Sequence, residues 1–127
     1  MREVVTSPDA PQAIGPYSPA IRMGSFLFVS GQIPLDPATG AMVEGDIAAQ
    51  TRRVMDNLGA LLQAAGLSFD DVARTTVYLT DLADFPAMNA VYGTYFAAPA
   101  PARATVQVGA LPKGARVEID VIAVASR

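Results

Sequence analysis

The sequence predicts an α+β fold, a two-layer sandwich in which two helices cover one face of a mixed β-sheet. Three observations support this. Short runs of β-branched and aromatic residues are bounded by Gly- and Pro-rich turns, two longer stretches carry the apolar spacing of amphipathic helices, and 51% of the 127 residues are apolar. The predicted order is β-β-β-α-β-α-β-β, and no linker or repeat divides it, so residues 1–127 are expected to form one domain.

Three strands are expected before the first helix. Residues 3–6 form the first, and a Gly/Pro-rich loop follows at 12–19. Residues 20–23 and 26–30 are separated only by a Gly-Ser dipeptide, a spacing typical of a β-hairpin. The content of Pro and Gly predicts a loop from 31 to 40.

The first helix is predicted at 47–65, with Asp46 as its N-cap and Gly66 in the left-handed position after its end. Residues 72–79 then form a β-branched strand. The helix carries one apolar stripe, consisting of Ile47, Val54, Leu58, Leu61, Leu62 and Ala65.

Asp84 is expected to cap a second helix at 85–97, with Pro86 in its first turn, where a missing N–H is tolerated. Its apolar face would consist of Phe85, Met88, Val91, Tyr92, Tyr95 and Phe96. The last strands are predicted near 103–108 and 116–124, and local pattern alone would pair them as a hairpin.

The last strand is apolar on both faces. Alternation directs Val117, Ile119 and Val121 to one side, and Ile122 and Val124 to the other. An apolar sheet face without helices predicts burial against another subunit.

Composition excludes several classes of site. The chain has no His and no Cys, which removes Ser-His-Asp and Cys-His catalysis and the usual zinc ligands. Its single lysine, Lys113, lies in a Pro-Lys-Gly loop, and no Gly-rich phosphate loop is present. With a net charge of −3 and 9 Lys+Arg, nucleic-acid binding is disfavoured. No run is long enough to span a bilayer and no signal peptide is visible, so a cytoplasmic location is expected.

Charged residues on the last two strands are the candidates for chemistry. Arg103 could bind a carboxylate ligand or form a surface ion pair. Glu118 could activate water or pair with an arginine, and Asp120 lies on the same face by alternation as a rival carboxylate.

Five motifs in order resemble the Rid family of reactive-intermediate deaminases, specifically its RidA branch, over nearly the whole chain. They lie at 13–18, 30–34, 75–82, 84–85 with Asn89, and from 101–103 through 118–119. The resemblance implies a chorismate-mutase-like subunit that assembles as a homotrimer with its sites between subunits. It also implies that the last strand is central in the sheet and is not the hairpin partner of its predecessor.

The activity implied by the resemblance is hydrolysis of reactive enamines and imines, such as 2-aminoacrylate and 2-iminobutyrate, to 2-keto acids and ammonia. This is the reaction of a 2-iminobutanoate/2-iminopropanoate deaminase, which removes intermediates that damage PLP enzymes. No cofactor is needed, and the partners would be small imino or keto acids, with neither nucleic acid nor membrane.

The resemblance implies a role for each of the matching residues. Arg103 would bind the substrate carboxylate, Glu118 would activate water, and Ser30 and Tyr17 would line the site with their hydroxyls. The substrate would also contact three further positions, namely the backbone N–H of Thr105, the backbone carbonyl of Gly31, and Asn89. Many relatives have Cys in place of Thr105, but a backbone contact tolerates that difference.

Two alternatives stay open from the residues. The same arginine could serve a non-catalytic module that binds small carboxylates or regulates a partner enzyme. A nucleic-acid-acting or translation-inhibiting protein is the third reading, against which the acidic charge weighs.

Overall fold

A six-stranded mixed sheet forms the base of the fold in the computed structural model, which describes residues 1–126. Two α-helices pack on one face of this sheet, which confirms the predicted α+β class and element order. The strands are β1 (Glu3–Val5), β2 (Ala20–Met23), β3 (Phe26–Gln32), β4 (Val72–Leu79), β5 (Ala102–Gln107) and β6 (Val117–Val124), and the helices are α1 (Ile47–Ala64) and α2 (Phe85–Tyr92).

The last strand is central in the sheet. The spatial order is β1-β2-β3-β6-β4-β5, with β6 antiparallel to both β3 and β4. β5 pairs in parallel with β4 and forms one edge of the sheet. The hairpin suggested by local pattern is therefore wrong, and the central position implied by the family resemblance is confirmed.

The core lies between the sheet and α1. Strand β6 alternates between buried and half-buried positions, and its inward residues Val117, Ile119 and Val121 are at most 2% exposed. The predicted stripe of α1 is buried against them, and each fully buried aliphatic side chain contributes roughly 1.5–3 kcal/mol. The opposite face of the sheet stays open in one chain, where Phe26 and Phe28 are 47% and 44% exposed.

The ends of α1 follow the sequence prediction. Asp46 is in an extended conformation, and its Oδ1 accepts a hydrogen bond from the N–H of Ala49 at 2.9 Å. Gly66 has φ +77°, a conformation that costs glycine little.

The start of α2 differs from the prediction. Asp84 makes no side-chain capping bond and is itself helical, because its carboxylate instead binds Arg116 at 2.9 and 3.1 Å. Asp81 caps the preceding 3₁₀ turn, where its Oδ1 accepts from the N–H of Ala83 at 2.9 Å.

Helix α2 is also shorter than predicted. It ends at Tyr92, and a 3₁₀ turn follows at Gly93–Tyr95. Glycine is a weak helix former, and the Thr94 hydroxyl donates to the Val91 carbonyl at 2.6 Å, so a freed carbonyl is satisfied where the helix tightens.

Strand β3 runs two residues further than predicted, to Gln32, and its pairing with β6 shifts register between Val29 and Gln32. This β-bulge continues the strand through Gly31, which the sequence placed in a loop. The other predicted ends lie within one residue of those observed. No helix within the described part of the chain is both long and apolar enough to cross a membrane.

Candidate active site

Two carboxylates project from β6 on the open face of the sheet. Glu118 and Asp120 alternate with buried residues and are both half-buried, as the sequence predicts. Tyr78 of β4 lies opposite Glu118 in the ladder, and its hydroxyl donates to Asp120 Oδ2 at 3.1 Å. Burial, and then the negative charge of Asp120, raise the pKa of Glu118 above its ordinary value. Glu118 is thus better suited to hold and release a proton than an ordinary surface glutamate.

Gly31 lies directly against the Glu118 side chain. A Cβ atom at position 31 would be 2.8 Å from Cδ and 3.1 Å from Cγ of Glu118. The β3 bulge therefore brings bare backbone next to a carboxylate, and only glycine leaves room for this contact.

Ser30 precedes this glycine and is held by the loop before β2. Its hydroxyl donates to the Ser18 carbonyl at 2.6 Å, and its N–H donates to the Pro19 carbonyl at 2.9 Å. The two bonds fix Ser30 beside the bulge, close to Gly31 and Glu118.

Tyr17 borders a cleft next to the bulge. The cleft has a volume of about 310 Å³ and is lined by Tyr17, Gly31 and Lys113 among mostly apolar residues. The Tyr17 side chain is 52% exposed, so it is accessible from the cleft and is not part of the buried core.

Arg103 lies at the opposite edge of the sheet, on the helix face. It pairs in register with Thr75 of β4, and its Nη1 donates to Asn89 Oδ1 of α2 at 2.7 Å. Its Cζ lies 4.8 Å from the Tyr92 ring centroid and 5.3 Å from that of Phe85. No carboxylate of residues 1–126 lies within salt-bridge distance of this guanidinium, so the surface ion-pair reading does not hold for the described chain.

Thr105 presents its backbone to the free edge of β5. The Val108 N–H donates to the Leu79 carbonyl of β4 at 2.8 Å, and N–H groups alternate sides along a parallel strand. The N–H groups of Arg103 and Thr105 therefore point away from β4. The Thr105 hydroxyl is buried and has no hydrogen-bond partner among the described residues.

The sequence-predicted residues fall into two groups in one chain. Tyr17, Ser30, Gly31 and Glu118 lie around the β3 bulge and the open sheet face. Asn89, Arg103 and Thr105 lie together where α2 crosses β5. The structure does not bring Arg103 and Glu118 together, because they project from opposite faces of the sheet.

Sequence reasoning missed three contributors to these groups. Local pattern places Tyr78 in a strand, but its position opposite Glu118 depends on the sheet topology. The sequence predicts Phe85 and Tyr92 only as part of the apolar face of α2, whereas their spacing with Asn89 (i, i+4, i+7) places all three on one helix face. This spacing is the feature of the sequence from which a shared binding face for Arg103 could have been predicted.

Metal-binding residues are not clustered in the described structure: within residues 1–126, no three His, Cys, Asp or Glu side chains could hold one ion.

Comparison with known proteins agrees with this architecture. The model of the Endoribonuclease L-PSP family matches residues 7–125. Protein DfrA of Myxococcus xanthus is 59% identical over 125 residues, covering 97% of this chain and 95% of that protein. The mouse 2-iminobutanoate/2-iminopropanoate deaminase is 47% identical over 124 residues, covering 98% and 92%.

Solved structures are similar over the same extent. E. coli TdcF with bound serine has a TM-score of 0.93 at 43% identity, covering 98% of this chain and 99% of that one. RidA from the Antarctic bacterium Psychrobacter has a TM-score of 0.93 at 44% identity, covering 97% and 99%. The chain therefore belongs to the Endoribonuclease L-PSP family, also called the YjgF/RidA family, as its motifs predict.

Proposed function

We propose that this protein hydrolyses reactive imines of 2-amino acids, such as 2-iminobutyrate and 2-iminopropionate, to 2-keto acids and ammonia. Enamines such as 2-aminoacrylate would enter as their imine tautomers. The overall reaction adds one water across C=N and expels ammonia, so it requires only proton transfers and no redox step. The name of the mouse relative supports this reaction.

The carboxylate end of the substrate is assigned to Arg103. Its guanidinium is unpaired with any carboxylate of residues 1–126 and can bind a carboxylate through two parallel N–H donors. The outward N–H of Thr105 lies on the same strand and adds a third donor. Asn89 takes up one Nη1 hydrogen and leaves the others for the ligand.

The reacting end is assigned to Glu118. Its carboxylate would accept a proton from water as the water oxygen bonds to the imine carbon, and would pass that proton to the imine nitrogen, giving a neutral carbinolamine. It would then carry the remaining hydroxyl proton to the same nitrogen as the C–N bond breaks, the C=O bond forms and ammonia leaves. Ser30 and Tyr17 would orient the imine by hydrogen bonds, and the Gly31 carbonyl would accept from its N–H.

One observation supports the proposal most directly: the Arg103 guanidinium has no carboxylate partner within residues 1–126 and is available to bind a substrate carboxylate. The proton acceptor Glu118 lies on the opposite face of the subunit. A complete site then requires Arg103 from one chain and Glu118 from another. We propose that this assembly is the homotrimer implied by the family resemblance, with sites between its subunits. The exposed aromatic side chains of the open face, Phe26 and Phe28, support burial of that face in the assembly.

The test generates 2-iminobutyrate in situ and follows its loss with wild type and with Arg103→Ala. Loss of a bidentate ion pair should lower kcat/KM at least about 100-fold. Arg52→Ala is the matched control, because Arg52 is an exposed arginine on α1 and should retain the wild-type rate. Equal rates for Arg103→Ala and wild type would reject the assignment.

Binding without turnover is the second candidate function. The structure of E. coli TdcF contains bound serine, so a family member can hold a small amino acid. The chain would then be a carboxylate-binding or regulatory module. A micromolar-to-millimolar dissociation constant for 2-oxobutanoate, with no loss of 2-iminobutyrate above background, would favour this alternative.

The description of the matching family and the net charge of this chain lead to different expectations about RNA binding. The matching family model carries the description of an endoribonuclease, whereas the net charge is −3. We expect no salt-dependent RNA binding, since phosphate contacts require clustered cations. Specific cleavage of an RNA by wild type that Glu118→Gln abolishes would contradict this expectation.

A further inference from the structure

Helix α2 presents a continuous face to Arg103. Phe85, Asn89 and Tyr92 are spaced i, i+4 and i+7, so their side chains lie above one another on one side of the helix. Arg103 is half-buried beneath this face. The face combines an amide acceptor with two aromatic rings, which suits a planar cation.

The rings and the amide constrain different parts of the guanidinium. Asn89 Oδ1 accepts from Nη1 at 2.7 Å, which fixes one nitrogen. The Tyr92 and Phe85 rings lie 4.8 and 5.3 Å from Cζ, within the range of cation–π contact. Together these contacts define the plane and the direction of the group before any ligand arrives.

Tyr92 is itself anchored from the sheet. Its hydroxyl and that of Thr75 are hydrogen-bonded at 2.7 Å, and the two residues are 5% and 1% exposed. The Phe96 ring packs on the Tyr92 ring at a centroid distance of 4.8 Å. Thr75 is also the ladder neighbour of Arg103. The contacts among Thr75, Tyr92 and Arg103 therefore connect β4, α2 and β5.

We propose that Tyr92, anchored by Thr75, is a positioning residue that orients the Arg103 guanidinium toward the substrate carboxylate. The inference rests on the proposed function of Arg103 as the carboxylate anchor. The two hydroxyls are buried and bonded to each other, so we assign neither of them a contact with substrate. Both act through the ring that carries the guanidinium, and a pre-oriented arginine binds more tightly because less freedom is lost on binding.

Thr75→Val is the principal test, since it removes the hydroxyl with almost no change of volume. We expect KM for 2-iminobutyrate and the dissociation constant of 2-oxobutanoate to rise roughly tenfold, with kcat changed less than about threefold. Tyr92→Phe should have a similar effect, and the double variant should be no worse than the single ones, because both substitutions break one bond. Thr75→Ser restores a hydroxyl and should recover most of the affinity.

Matched controls separate positioning from a loss of core stability. Thr51→Val removes a fully buried hydroxyl that bonds the Ile47 carbonyl within α1. Tyr95→Phe removes a hydroxyl bonded to Asp56. Neither hydroxyl contacts Arg103, so both controls should keep wild-type KM even where they lower Tm.

An Arg103→Lys background gives the decisive comparison. Lysine lacks the planar group that stacks on Tyr92, so adding Thr75→Val to Arg103→Lys should weaken 2-oxobutanoate binding no further. An equal loss in both backgrounds, or unchanged binding in Thr75→Val, would overturn the inference.

A wild type that binds 2-oxobutanoate without turnover would reject the proposed function, while the dissociation constants of the variants would still decide the positioning role. A wild type without 2-oxobutanoate binding would overturn the inference.

Discussion

At the scale of single residues, the chemistry of Glu118 is set by its neighbours. Half-burial and the adjacent Asp120 charge both disfavour the ionised form. Asp120 is in turn bound by the Tyr78 hydroxyl. Asp120, which the sequence analysis considered as a rival base, is therefore positioned to raise the pKa of Glu118.

The pH dependence of the rate should report this arrangement. A base works only when deprotonated, so kcat/KM should fall as the pH drops through the raised pKa of Glu118. Asp120→Asn removes the negative charge and lowers the pKa of Glu118, so the acid limb should move to lower pH. The measurement is kcat/KM for a 2-imino acid between pH 4 and 8. Asp70→Asn changes an exposed carboxylate that lies before β4, at the opposite end of that strand from Tyr78 and Glu118, and should leave the limb in place. An unmoved limb in Asp120→Asn would contradict the argument.

A single methyl group at position 31 should disturb the same carboxylate. In Gly31→Ala the new Cβ would overlap the Glu118 side chain, so Glu118 must move away from its position. Displacement of a catalytic group by about 1 Å can cost up to ~100-fold in rate, and we expect kcat to fall at least tenfold. Gly93→Ala is the control, because a Cβ there meets no atom within 4 Å. Wild-type kcat in Gly31→Ala would show that Glu118 tolerates the displacement.

At the scale of elements, the position of α2 determines where Arg103 points. The helix is fixed at its start by Asp84, whose carboxylate binds Arg116 just before β6. The Arg116 N–H also donates to the buried Gln50 of α1 at 3.0 Å. One arginine thus ties the start of β6 to both helices.

Breaking this tie should destabilise the subunit modestly. The Asp84 side chain is 17% exposed and that of Arg116 is 41% exposed, so solvent screens part of the interaction. We expect Asp84→Ala to lower the free energy of unfolding by about 1 kcal/mol. Urea titration of Asp84→Ala, Arg116→Ala and the double variant measures the coupling, and additive effects would show that the pair contributes nothing.

Sequence patterns located most elements but not the local adjustments that build the site. β2 and β4 have the predicted bounds because their ends are marked by local turn signals. The bulge at Ser30 and Gly31 was not predictable from local pattern, since it depends on pairing with β6, about ninety residues away along the chain. Asp84 does not cap α2 as predicted because its carboxylate binds Arg116, which is 32 residues away along the chain.

At the scale of the whole molecule, family motifs in the sequence identify the candidate site residues but do not show on which face of the sheet each one lies. The face of Arg103 follows from its register with Thr75, and that of Glu118 from its register with Tyr78. Both registers are properties of the assembled sheet. The expectation that the two groups meet across a subunit boundary accordingly stays a prediction, and it concerns the assembly more than the chain.

Mixing two inactive variants tests that prediction. If each site takes Arg103 from one subunit and Glu118 from its neighbour, random trimers of Arg103→Ala and Glu118→Gln contain some sites with both native groups. Co-refolding equal amounts should restore about a quarter of wild-type activity, since each of the two required choices has an even chance. Separately refolded and then mixed trimers are the control and should stay inactive. A co-refolded mixture without activity would mean that both groups act within one chain.

A site shared between subunits, as proposed from the opposite-face geometry, would have a genetic consequence. Two loss-of-function alleles, one damaging the β5 edge and one the β3 bulge, would complement each other in the same cell, whereas two alleles of the same half would not. Complementation groups among random mutants would then map the two halves of the site without any structure. A damaged allele co-expressed with an intact one would reduce activity in proportion to its share of subunits and would not abolish it.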